Sequence, residues 1–96
     1  MIRVVKLTVA EEQIDTFMTI FNEAKQGVRD YNGCTGLELW QSKNDPCVVF
    51  TYSFWEDESY LETYRDSEFF IGVWRQLKPL FSAKAEAWSV DSLIQL

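Results

Sequence analysis

The stretch Cys47-Val48-Val49-Phe50-Thr51-Tyr52-Ser53-Phe54-Trp55 decides how the rest of the chain is read. Side chains alternate across a strand, so Val48, Phe50, Tyr52 and Phe54 share one face while Val49, Thr51, Ser53 and Trp55 share the other. Both faces therefore carry large groups. A single layer of helices covers one face of a sheet, and soluble monomers rarely leave an apolar patch of that kind against water. The uncovered face is expected to meet a second copy of the chain, making a homodimer.

Working outward, Thr35 to Gln41 reads as the partner strand, with Ser42-Lys43-Asn44-Asp45-Pro46 supplying turn formers between the two. Upstream, Ile2 to Val9 is β-branched and places Val5, Leu7 and Val9 on one face and Val4, Lys6 and Thr8 on the other. Lys6 interrupts the apolar pattern there, so the register of this strand is the least determined. Thr8-Val9-Ala10-Glu11 has the spacing of a capping box. From it Ile14, Phe17, Met18, Phe21, Val28 and Tyr31 recur at helical offsets as far as Asn32-Gly33.

Downstream, Glu56, Asp57 and Glu58 suit the positive end of a second helix, whose inner stripe is Tyr60, Leu61 and Tyr64. Ser67 is a second N-cap. It predicts a break, after which Phe70, Val73, Trp74 and Leu77 continue to Pro79. Lys84 to Val90 alternates as a last strand, and Asp91 to Leu96 is a tail. The order β-α-β-β-α-β predicts an α+β fold of ferredoxin-like architecture with an antiparallel sheet. Residues 1–96 form one domain, since separate cores arise only above about 250 residues.

Composition narrows the function. Nine Lys and Arg against 15 Asp and Glu give a net charge of -6, which repels nucleic acid and anionic lipid surfaces. No apolar run approaches the roughly 18 residues of a membrane span, and charges interrupt the start of the chain, so a cytoplasmic location is expected. The sequence has no histidine, which removes the commonest general base and the commonest zinc and haem ligand. Cys34 and Cys47 fall roughly 25 Å apart along the hairpin, too far for a disulfide, and read as buried inert thiols. Glu58, Glu62 and Asp66 stack at i, i+4 spacing but lack the close-set loop ligands of a calcium site, so they read as a solvated helix face.

The informative excess is aromatic: four Trp, four Tyr and seven Phe, or 16% of the chain. Tyr52, Trp55, Tyr64, Phe70 and Trp74 are the rings expected to pack the core and the dimer seam or to line a small-molecule pocket between helix and sheet. Trp55 offers an indole N–H, Tyr64 a hydroxyl and Arg75 a permanent cation, a set able to hold a phenolate-like oxygen.

Gly33-Cys34-Thr35-Gly36-Leu37-Glu38-Leu39, then Asn44-Asp45-Pro46, then Phe54-Trp55-Glu56-Asp57, Leu61, Tyr64, Ser67 and Phe70 fall in the order of the antibiotic biosynthesis monooxygenase family, which the chain resembles over almost its whole length. The resemblance implies a dimeric α+β barrel, with sheets face to face and a cavity in each subunit. Some members of that family oxidise quinols or aromatic polyketides with oxygen and neither metal nor flavin. In those members a tryptophan ending the third strand matches Trp55, a basic residue of the second helical region matches Arg75, and an asparagine four positions before the tryptophan is replaced here by Thr51. Members that degrade haem use three residues whose positions fall near Val5, at Tyr64 and at Trp74, and all three are lost. A further group has histidine where this chain has Tyr64, a far weaker base.

Two readings follow. In one, the chain is a cofactor-independent monooxygenase acting on a quinol or other electron-rich aromatic. Trp55, Arg75 and Tyr64 are then catalytic, and Thr51, Tyr52, Phe70 and Trp74 line the substrate site. No metal and no cofactor is expected. In the other, a dimer of the same fold binds a small aromatic or serves as an accessory protein, without turnover.

Overall fold

A computed structural model describes residues 1–96. The elements are β1 (Ile2–Thr8), α1 (Ile14–Arg29), β2 (Cys34–Gln41), β3 (Val48–Trp55), α2 (Glu58–Arg65), α3 (Glu68–Leu77) and β4 (Glu86–Val90). The four strands form one antiparallel sheet in the order β2-β3-β1-β4. This is the expected ferredoxin-like arrangement, and the register of β1 is unambiguous: Val5 lies opposite Thr51 and Leu7 opposite Val49. Lys6 falls on the side away from the helices, where it pairs with Glu86 at 3.8 Å.

All three helices lie over one face of the sheet. Leu7, Val9, Phe17, Val49, Leu77 and Leu80 form the larger buried cluster, joining the ends of β1 and β3 to α1 and α3. Cys34, Trp55, Leu61 and Tyr64 form a second cluster under α2. Two clusters rather than one leave room between them.

The start of α1 departs from the sequence reading. Thr8 stays in β1 and caps nothing, and a 3-10 turn at Glu11–Gln13 precedes the helix. The cause is backbone pairing: Val9 N–H donates to Cys47 O and Ala10 N–H to Leu80 O, both at 2.8 Å, which holds the chain extended past the point where Thr8 would cap. The hairpin strands begin one residue from their expected starts. The last strand begins at Glu86 rather than Lys84, and α1 stops at Arg29, short of Gly33. Gly33 has φ +87°, a left-handed conformation that favours glycine, and an added Cβ would collide with the Tyr60 ring.

The expected break between the second and third helices is present. The Ser67 hydroxyl accepts from Phe70 N–H at 3.1 Å and donates to the Tyr64 carbonyl at 2.6 Å. One side chain thus ends α2 and starts α3, a contribution of about 1 kcal/mol for a serine cap. The joint also sets Tyr64 and Phe70 edge to face, with ring centroids 5.1 Å apart.

Candidate functional site

Strand pairing arranges the helix-facing side of the sheet in rows. Leu37, Ser53, Arg3 and Ser89 make a polar row at one end, Leu39, Thr51, Val5 and Ala87 come next, and Gln41, Val49 and Leu7 follow toward the larger core. Between this face and the helices lies a cavity of about 300 Å³, at the small end of ligand pockets. Val5, Leu37 and Thr51 floor it, and Phe21, Tyr64 and Trp74 are among the helix residues that roof it. The lining is mostly apolar, with Arg3, Thr51, Ser53, Tyr64 and Arg65 as its polar members.

Tyr64 sits at the centre of the aromatic cluster, with ring centroids about 5 Å from Tyr31, Trp55 and Phe70. Burial first, then the neighbouring Cys34 and Tyr31, pushes its phenol well above the ordinary value of 10.0. No hydrogen bond within the chain opposes that rise. The group is therefore a neutral donor and not a base at any working pH. The same burial pushes the Cys34 thiol up, so it stays protonated near neutrality. Both cysteines are free; Cys34 is buried as expected, whereas Cys47 is only half-buried.

A pH dependence follows with a definite sign. The folded chain holds Tyr64 protonated while the unfolded chain ionises it near 10.0, so its contribution is complete below that pH and is lost as pH rises through the raised folded value. Urea midpoints are expected to fall above about pH 10, and to fall less steeply in Tyr64→Phe. Identical alkaline slopes in the two proteins would contradict the burial of this phenol.

The remaining site residues proposed from sequence separate into three groups. Thr51, Tyr64, Phe70 and Trp74 all line the cavity. Trp55 does not. Its indole is 2% exposed and donates its N–H to Ser53 Oγ at 2.9 Å. Ser53 lines the cavity, so Trp55 touches the lining from behind without reaching the cavity itself. Arg75 and Tyr52 lie outside the cavity. On α3, Trp74 turns inward to stack on Phe70 and meet Phe81, which carries the next residue, Arg75, round to solvent. Tyr52 faces the opposite side of the sheet, stacked on Trp40 at 4.3 Å, because it shares strand parity with Phe50 and Phe54.

Arg3, Ser53 and Arg65 were not among the residues singled out from the sequence. The signal for two of them was present: Arg3 shares parity with Val5 and Leu7, and Ser53 with Thr51, so both had to face the helices. Arg65 depends on where α2 ends and had no such marker. Glu58, Glu62 and Asp66 are exposed, and no three acidic or cysteine side chains converge in the way a metal ion requires. No helix is long and apolar enough to cross a membrane.

A split β-α-β unit with a small apolar cavity between one sheet face and its helices defines a class, the α+β proteins of ferredoxin-like architecture. Within that class the chain belongs to the antibiotic biosynthesis monooxygenase family, whose sequence model matches residues 1–73. Its fold is similar to that of a solved antibiotic biosynthesis monooxygenase, with TM-score 0.88 and 18% identity over 98% of this chain and 100% of that one. A chain from Caulobacter crescentus CB15 superposes with TM-score 0.89 at 17% identity, covering 97% of this chain and 89% of that one. A conserved protein from Methanosarcina mazei Go1 gives 0.84 at 24% identity, covering 90% and 86% respectively. No curated protein matches the chain.

Proposed function

We propose that this chain is a homodimeric, cofactor-independent monooxygenase of quinols or other electron-rich aromatics. The observation that carries the reading is the apolar cavity with two hydroxyl residues in its lining, Tyr64 and Ser53, neither of which donates a hydrogen bond within the chain. A phenolate bound there reduces oxygen inside the cage. Recombination forms a C–O bond to the ring, giving a hydroperoxide, and loss of water from it leaves a quinone. One oxygen atom ends in the quinone and the other in water, and the substrate supplies all the electrons. Such chemistry needs a dry site and donors to a developing oxyanion. Tyr64 serves as the donor, Ser53 as a second donor held by Trp55, and Thr51, Phe70 and Trp74 as the wall against the ring.

The homodimer rests on the other side of the sheet. Trp40, Trp88 and Val90 are between 42% and 46% exposed there and flank Val4, Tyr52 and Phe54, a largely apolar face interrupted by Glu38 and by the Lys6–Glu86 pair. A second copy of the same face is self-complementary about a two-fold axis.

A second reading, a dimer that binds an aromatic without turnover, is favoured by one observation. The cavity holds no group that titrates near neutrality: the chain has no histidine and the Tyr64 phenol is pushed up, so the proton must leave to solvent. Oxygen consumption by the metal-free protein separates the two. With 1-naphthol and substituted hydroquinones, uptake above the spontaneous rate is expected, reduced about a hundredfold to a thousandfold in Tyr64→Phe, the size of one lost oxyanion donor. Saturable quenching of tryptophan fluorescence by the same compounds without uptake would establish the binder instead.

A further inference from the structure

One end of the cavity is cationic. Arg3 and Arg65 both line it, the first from β1 and the second from the last turn of α2, and both also reach solvent. Neither is neutralised by contact, since the chain's only ion pair is Lys6 with Glu86 on the other side of the sheet. The Arg3 guanidinium is aimed by the polar row around it. Its Nη1 donates to Ser89 Oγ at 3.0 Å, leaving the rest of its donor fork unused, and Ser53 stands directly opposite on β3. Burial first, then Arg65, pulls the Arg3 guanidinium below its ordinary value, and the opposing pull of Glu58 is the weakest of the three. Two like charges therefore face each other at the rim of an apolar hollow in a chain whose net charge is -6.

We propose that Arg3 and Arg65 form a carboxylate clamp at the mouth of the cavity, so that the ligand is a compact aromatic bearing one carboxylate. The planar donor fork of a guanidinium matches a carboxylate bidentately. Arg3 already spends one donor on Ser89, so the donor pairs left over match the two coplanar oxygens of a carboxylate. The apolar rows beyond Arg3 take the ring, which places the ligand's hydroxyl-bearing edge toward Thr51 and Tyr64. The inference rests on the cavity being the ligand site but does not require turnover there.

Isothermal titration calorimetry with 1-hydroxy-2-naphthoic acid, its primary amide and 1-naphthyl phosphate tests it. The acid is expected to bind at least about tenfold more tightly than the amide, the step conferred by one charge-assisted hydrogen bond. Arg65→Gln, at an exposed helix end, and Arg3→Gln are each expected to remove most of that preference while leaving amide affinity unchanged. Equal affinity for acid and amide, a preference that survives both substitutions, or no binding of either compound would overturn the clamp. Tighter binding of the phosphate would overturn the choice of carboxylate. Calorimetry reads binding alone, so an intact preference without oxygen uptake counts against turnover and not against the clamp.

Discussion

Phe17→Ala is expected to lower the stability of the folded chain by about 3–5 kcal/mol. Phe17 is 1% exposed at the centre of the larger cluster, packed with Leu7 and Val9 of β1, Val49 of β3 and Leu77 of α3. It is also the ring against which Phe21 stacks at 6.1 Å, and Phe21 is part of the cavity wall. Truncation loses the transfer free energy of the ring and opens a void beside a cavity that already exists, so the surrounding side chains have little to collapse onto. A domain of this size has about 5–15 kcal/mol in total, so the change removes a large share of it. Urea denaturation followed by circular dichroism measures the effect. A loss below about 1 kcal/mol would mean that α1 is not anchored through Phe17.

Tyr52→Glu is expected to abolish the proposed homodimer. Tyr52 stands in the middle of the uncovered sheet face, between Val4 of β1 and Glu38 of β2, stacked on Trp40 and edge-on to Phe54 at 4.8 Å. In a two-fold interface every substitution appears twice. The two new carboxylates approach one another and join Glu38, and the one cation on this face of the sheet, Lys6, is already paired with Glu86. Burying an unpaired charge costs about 3 kcal/mol or more, which weakens association at least about a hundredfold. Light scattering at micromolar concentration should give a dimer mass for the parent chain and a monomer mass for the variant. A monomeric parent would remove the dimer, and the free sheet face would then need another partner.

Much of the fold was legible because its signals are local. The alternation in β1 and β3, the turn formers at Ser42–Pro46 and the Ser67 cap each depend on a few neighbouring residues, and each element formed within a residue of where those signals placed it. The capping box at Thr8 failed for the opposite reason. Its geometry was overridden by two backbone bonds, to Cys47 and Leu80, from residues remote in sequence. The same distinction runs through the site. Thr51 and Ser53 had to face the helices by parity alone, and parity equally sent Tyr52 to the other side. Arg75 could not be placed by its neighbour Trp74, because successive residues on a helix point about 100° apart.

By itself, the chain's order of residues determined the element sequence, the two-faced greasy sheet and the absence of any imidazole, since these follow from periodicity and composition. Only the tertiary structure decided that the buried material divides into two clusters with a hollow between them, that Trp55 spends its indole N–H on Ser53, and that the cations at the hollow are Arg3 and Arg65. Those outcomes depend on how strands and helices far apart in the chain are brought together, and on the angle at which α2 and α3 meet over the sheet. No local pattern of side chains encodes either one.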